Sequence, residues 1–178
     1  MFAISFSLVY DGFVIVYILS VSHSIQAIAT KKKEWHTMLK TIPSILSPEL
    51  LKVLMEMGHG DELVIGDGNF PAASMNDRVV RLDGHGGEEI LKAILQLFPL
   101  DTYAPNAFLM EKVPGDPAET PIWDSYEKIA KAGDPGFTGF TFVERFAFYE
   151  QSKKAYAIVA TGESALYANI ILKKGVVL

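Results

Sequence analysis

Cysteine is absent from all 178 residues, which excludes disulfide frameworks, thiol nucleophiles and cysteine-ligated zinc together. A cysteine-free chain also suits a reducing compartment. Positive charge is scarce: 16 Lys and Arg stand against 21 Asp and Glu, a net charge of −5, and the only basic cluster is Lys31-Lys32-Lys33. That leaves no electrostatic footprint for nucleic acid, so no such partner is expected. Only His59 and His85 of the four histidines lie beyond residue 37. A three-histidine zinc site cannot be assembled from two, and no His/carboxylate spacing replaces it, so no metal is expected. The glycines at 84, 86 and 87 do not spell Gly-x-Gly-x-x-Gly, no Gly-Lys-Ser/Thr follows, and "TGESA" lacks the Gly-x-Ser-x-Gly turn of a serine hydrolase.

What is present is the composition of one globular domain, 49% hydrophobic and 21% charged. The first 37 residues differ from the rest. Between Met1 and Thr30 the only formal charge is Asp11, and the apolar run is broken by Ser20, Ser22, His23, Ser24 and Gln26. A signal peptide opens with basic residues, whereas here the lysines follow the apolar stretch. A membrane span needs about 20 predominantly apolar residues. We therefore read residues 1–37 as an extension, artefactual, targeting or anchoring, and residues 38–178 as the domain. The extension takes three of the 16 basic and two of the 21 acidic residues, which leaves a net of −6 on the domain.

Along the domain the pattern alternates. Ser47 is an expected N-cap with Pro48 at the first helical position, and Leu50, Leu51, Leu54 and Met57 form a stripe that stops at Gly58. "ELVIG" and "VVRL" read as strands, residues 88–98 as a helix, "NAFLMEKV" as a strand, and residues 122–132 as a helix behind a second cap-plus-proline, Thr120-Pro121. "GFTFVERF" reads as a strand, residues 149–153 as a short polar helix, and "AYAIVATG" and "NIILKKGVVL" as the last strands. Strands separated by helices predict an α/β fold of three layers, α/β/α, with a mainly parallel sheet and helices on both faces. Such folds bind ligands beyond the carboxyl ends of their strands.

The polar residues left to carry chemistry are His59, Asp67, Asp101, Arg145, Tyr149, Tyr167 and Asn169. His59, in "MGHGDE", suits a helix C-cap and equally a general acid/base near neutral pH, oriented by Asp61 or Asp67. Asp67 between Gly66 and Gly68 reads as a turn residue or a ligand contact. Tyr149 and Tyr167 read individually as core or interface aromatics. Together, imidazole, carboxylate, amide and phenol match the hydrogen-bonding needs of a sugar's hydroxyls.

Five ordered blocks, "SPELLKVLMEMGHGDE", "NFPA", "LDTYAP", "RFAFYE" and "LYANIILKKGV", resemble the D-ribose pyranase and L-fucose mutarotase family, the fucose branch most closely. The resemblance runs from about Met38 to Val177. It implies a D-ribose pyranase-like fold and cofactor-independent interconversion of sugar anomers, with His59 as the acid/base and Asp67 as a sugar-binding aspartate. It further implies sugar contacts by Asp101, Arg145, Tyr149, Tyr167 and Asn169, with the two tyrosines as candidates for proton transfer. It also implies a ring-shaped homo-oligomer in which the Tyr-x-Asn segment completes a neighbour's site. Ala168 stands where the fucose branch usually has glycine and resembles the ribose branch.

The expected activity is that of an isomerase acting on L-fucose in the cytoplasm, with a monosaccharide as its small-molecule partner. Ring opening needs one proton delivered to the ring oxygen and one removed from the anomeric hydroxyl, which calls for general acid/base groups and no covalent intermediate. The competing expectations are the same chemistry on D-ribose, a sugar-binding protein without catalysis, and a membrane-tethered enzyme.

Overall fold

The computed structural model describes residues 39–177; the expected extension, 1–37, lies outside them. Helix α1 (Pro48–Glu56) starts where Ser47 Oγ accepts the amide of Leu50 at 3.1 Å, with Pro48 in the first turn. Its buried face is Leu50, Val53 and Leu54, so Val53 replaces the expected Leu51. Then come β1 (Glu62–Gly66), α2 (Ala72–Met75), β2 (Val79–Leu82), α3 (Gly87–Ile94) and β3 (Ala107–Met110). The second half holds α4 (Pro121–Gly133), β4 (Thr141–Val143), α5 (Arg145–Lys154), β5 (Ala157–Thr161) and β6 (Ile170–Lys173).

The six strands form one sheet in the order β2-β5-β1-β6-β3-β4. Pairs β2/β5, β5/β1 and β3/β4 are parallel. Strand β6 runs antiparallel to both its neighbours, β1 and β3. The expected mainly parallel sheet is therefore present with one reversed strand at its centre. The reason is local: residues 162–169 between β5 and β6 are too few for a helical crossover, which takes a dozen or more. Reversal puts the first residue of β6, Ile170, opposite Ile65 at the carboxyl end of β1, and its last, Lys173, opposite Glu62 at the start of β1.

Both faces are covered, as the buried runs of β1, β5 and β6 require. On one face α1, α3 and α4 contribute Leu50, Ile90, Leu91, Ile94, Tyr126 and Ala130 to a core with Leu63 and Ile65. On the other, Ala72 of α2 and Phe148 of α5 pack on Val64, Ile158 and Ile171. Full burial of Phe148 alone contributes about 1.5–3 kcal/mol. These layers are the expected α/β/α arrangement.

Three departures have physical causes. The helix expected over 88–98 ends at Ile94, because Pro99 disfavours helical backbone at Phe98; the amides of Leu97 and Phe98 both turn back to the Ile94 carbonyl. Thr120 makes no side-chain cap, and Pro121 alone marks the start of α4. Strand β4 stops at Val143 because the Glu144 carboxylate accepts the amides of Phe146 and Ala147 and so starts α5 at Arg145, four residues before the expected position. Among the described residues, no helix is long and apolar enough to cross a membrane.

Candidate active site

Strand β6 joins two clusters of polar side chains, one at each end. At its finish, the amide of Gly60 donates to the Lys174 carbonyl at 2.8 Å, that of Lys174 to Asp61 at 2.8 Å, and that of Asp101 to Lys173 at 3.1 Å. The turn holding His59 and the segment holding Asp101 thus ride on the same strand end, although 42 residues separate them. Gly60 makes that turn possible with φ of 87°, a conformation costly for other residues. His59 Nε2 lies 3.3 Å from Asp101 Oδ1, which also accepts the amide of Tyr103 at 3.0 Å. The His59 side chain is 48% exposed over a carboxylate that is only 6% exposed. The Tyr103 amide, and then His59, hold the Asp101 carboxyl below its ordinary range. Neither Asp61 nor Asp67 orients the imidazole: Asp61 instead accepts the Gly58 amide at 2.7 Å.

At the other end of β6, Asn169 bridges to Asp67 twice. Its Oδ1 accepts the Asp67 amide at 2.8 Å and its Nδ2 donates to Asp67 Oδ2 at 2.9 Å, while Asp67 Oδ1 accepts the Asn69 amide at 2.9 Å. Burial pushes the Asp67 carboxyl up, and these donors oppose the shift. The pair sits at the floor of a cavity of about 190 Å³ whose walls include Arg145, Tyr149 and Tyr167. This is below the roughly 300–1,000 Å³ of sites for drug-sized ligands, and suits a small polyol.

The walls follow from local structure. Because α5 begins at Arg145, Arg145 and Tyr149 lie one turn apart on the same helix face. Arg145 Nε is buried without a hydrogen-bond partner, an orphan donor in the wall of a cavity. Tyr149 packs edge-on against Phe70, centroids 5.8 Å apart. Tyr167 adopts the left-handed conformation at φ 57°, held by Trp123 Nε1 donating to its carbonyl at 2.8 Å. The next residue is held too, by Tyr126 Oη donating to the Ala168 carbonyl at 3.2 Å.

Five of the seven expected site residues, Asp67, Arg145, Tyr149, Tyr167 and Asn169, therefore share one cavity. His59 and Asp101 do not join them: they lie beyond the far end of β6, about 16 Å away at about 3.3 Å per residue. Sequence reasoning missed Asp116, Phe70, Met110 and Leu166 in the walls. Asp116 stands in "VPGDPAE", which reads as a plain turn; its part is visible only in Tyr167 Oη, which donates to Asp116 Oδ2. His85 takes no part in either cluster; its Nδ1 lies 3.0 Å from Glu89 Oε1 on α3.

The glycines flanking Asp67 serve the fold. A Cβ on Gly66 would stand 2.8 Å from Phe70 Cβ, and one on Gly68 3.1 Å from the Glu163 carbonyl. Gly66 thus lets the Phe70 ring close over the strand end and become a wall of the cavity.

The chain matches the model of the RbsD / FucU transport protein family over residues 40–177. It is 56% identical over 146 residues, 78% of this chain and 94% of the relative, to the fucose mutarotase of Danio rerio. Among solved structures it is similar to FucU from Bifidobacterium longum, with a TM-score of 0.75 and 64% identity over 78% of this chain and 100% of that one. It is similar also to the fucose mutarotase of Streptococcus pneumoniae in complex with L-fucose, with a TM-score of 0.74 and 51% identity over 79% and 100% of the two chains.

Proposed function

Because the chain belongs to the RbsD / FucU transport protein family, we propose that it is an isomerase that interconverts the α and β anomers of L-fucose. The observation that carries this reading is the cavity in which Asp67, Asn169, Tyr167, Arg145 and Tyr149 converge. A buried, doubly bridged carboxylate, an unpartnered guanidinium donor and two phenols supply the acceptors and donors that a monosaccharide's hydroxyls need. The L-fucose complex of the 51% identical Streptococcus pneumoniae enzyme supports the same sugar here.

In the reaction, a base takes the proton of the anomeric hydroxyl as the bond from C1 to the ring oxygen breaks, and an acid gives the ring oxygen a proton. Reclosure on the other face reverses both transfers. His59 serves as one proton-exchanging group, steadied through one ring nitrogen by Asp101 Oδ1, with its other nitrogen free for the sugar. Asp101 Oδ2 holds a sugar hydroxyl, as do Asp67, Arg145 and Asn169, and Tyr149 and Tyr167 supply the second proton-exchanging group. No cofactor enters this scheme.

His59 and the cavity belong to opposite ends of β6, so the working site forms where the His59 end of one subunit meets the cavity end of the next. Such a contact joins two different surfaces and propagates head to tail, which makes a ring where the rotation between subunits closes. Exposed Tyr103 beside His59, and exposed Phe146 and Leu166 at the cavity end, supply the apolar and aromatic surface that interfaces favour. The domain begins at Met38, and residues 1–37 are dispensable for catalysis. The cysteine-free, acidic composition supports a cytoplasmic location.

Saturation-transfer NMR on L-fucose, and then on D-ribose, tests the reading with the full chain and with a chain starting at Met38. Exchange faster on fucose is expected from both chains, with a loss of about 10²–10⁴-fold in His59→Ala. Faster exchange on ribose moves the assignment to the ribose branch, and no acceleration by the folded oligomer makes the protein a sugar binder. Membrane fractionation that depends on residues 1–30 identifies a tethered enzyme.

A further inference from the structure

The segment between β3 and α4, residues 111–120, holds Tyr167. Its carboxylate, Asp116, accepts the phenol hydrogen of Tyr167, and the amide of Val113 donates to the same phenol oxygen at 3.4 Å. Asp116 is itself fixed. Its amide donates to the Val113 carbonyl at 3.0 Å, its Oδ1 accepts the Ala118 amide at 2.8 Å, and Lys112 Nζ ties the loop by donating to the Ala118 carbonyl at 3.0 Å. Asp116 also belongs to the cavity wall. A tyrosine hydroxyl has one hydrogen and otherwise only accepts. With the hydrogen on Asp116, the phenol meets anything bound in the cavity as an acceptor.

We propose that Asp116 is the positioning residue that makes Tyr167 a proton acceptor in mutarotation, by taking the phenol hydrogen and turning an oxygen lone pair to the sugar. The proposal rests on the mutarotase reading above. In the step it implies, the sugar O–H breaks as a new Tyr167 O–H forms, and the old phenol hydrogen passes to the Asp116 carboxylate. The phenol stays neutral and the negative charge moves from Asp116 to the sugar oxygen. The C1 to ring-oxygen bond then breaks as that oxygen forms the carbonyl, and the ring oxygen takes a proton from the acid. Reclosure returns the proton from Asp116 through Tyr167. A tyrosine without that relay could accept the proton only if it were already a phenolate, and Asp116 opposes that charge by raising the Tyr167 phenol above its ordinary range. Asp116 itself stays ionised, since Tyr167 and then the Ala118 amide hold its carboxyl below the usual range.

A double-mutant cycle on L-fucose exchange tests the coupling, with Asp116→Asn, Tyr167→Phe, the double variant and Asp116→Glu. If Asp116 acts through Tyr167, Asp116→Asn lowers kcat by about 10-fold or more with KM changed by less than about 3-fold. The double variant is then no slower than Tyr167→Phe, and Asp116→Glu recovers part of the rate. Losses that multiply in the double variant, or an unchanged kcat in Asp116→Asn, overturn the proposal. A second measurement needs no Asp116 variant: in wild-type protein with ¹³Cζ-labelled tyrosine, the resonance that vanishes in Tyr167→Phe should shift as Asp116 is titrated in acid. A resonance that stays flat overturns the proposal. No exchange by the wild-type protein on any sugar sinks the mutarotase reading itself, whereas an active wild type with multiplying losses sinks only the role of Asp116.

Discussion

Two aspartates at opposite ends of β6 meet opposite fates. Asp67, before the strand, is buried, and its carboxyl is pushed above the ordinary range by loss of water despite its donors from Asn69 and Asn169. Asp101, beyond the strand, lies beneath the exposed His59, and the Tyr103 amide and the imidazole pull its carboxyl below that range. The difference separates two tasks. In the proposed mechanism, Asp67 and Asn169 form a receptor that holds a hydroxyl at a cost in fold stability, whereas Asp101 steadies a histidine that must stay open to gain and lose a proton.

If the ends divide the work in this way, removing each should leave a different kinetic trace. His59→Ala should lower kcat by about 10²–10⁴-fold and leave L-fucose affinity nearly intact. Arg145→Met should weaken fucose binding, at about 1.5–3 kcal/mol for a hydrogen bond from a charged group, with a smaller effect on kcat. Matched loss of kcat and affinity in both variants, measured by exchange NMR and ligand titration, would erase the distinction.

A smaller effect sharpens the comparison through pH. The folded value of Asp101 is depressed, so the stability it contributes is present above the unfolded carboxylate range and is lost as pH falls through the folded value. The value of Asp67 is raised, so its ionised form costs stability at neutral pH, and that loss is recovered as pH falls through its folded value. Thermal melting from about pH 7 to about pH 3 should therefore show the wild-type advantage over Asp101→Asn shrinking with acid, and the advantage over Asp67→Asn growing. Parallel curves would contradict the assignment.

The smallest effect concerns Ala168. Its side chain is buried in the α1/α3/α4 core and does not line the cavity, so Ala168→Gly should leave the fucose-to-ribose rate ratio unchanged and cost about 0.4–1 kcal/mol of stability. A changed ratio in paired exchange measurements would show that the backbone at this position reads the sugar.

Much of the molecule was legible from its pattern. The Ser47-Pro48 cap, the apolar runs of β1 and β5 and the stripes of α3 and α4 fix a layered α/β chain, because burial periodicity and turn chemistry are local properties. Elimination left seven candidate polar residues and the resemblance gave them roles, and five of them meet in one cavity. Their division between two ends was not legible, because it depends on β6 running against its neighbours. Nor was the start of α5 at Arg145, set by a glutamate cap inside a strand-like sequence. Asp116 escaped because a Pro-Gly-Asp-Pro turn carries no sign of the tyrosine 51 residues away.

The central claim, that one working site takes His59 from one subunit and the cavity from another, is tested most directly by mixing two inactive variants. Subunits carrying His59→Ala and subunits carrying Tyr167→Phe, unfolded and reassembled together in equal amounts, pair an intact histidine with an intact tyrosine at about one interface in four. The account predicts L-fucose exchange restored to about a quarter of the wild-type rate, from two preparations that are each nearly inactive alone. Mixed assemblies that stay as inactive as their parents would contradict it, and would return both groups to a single chain.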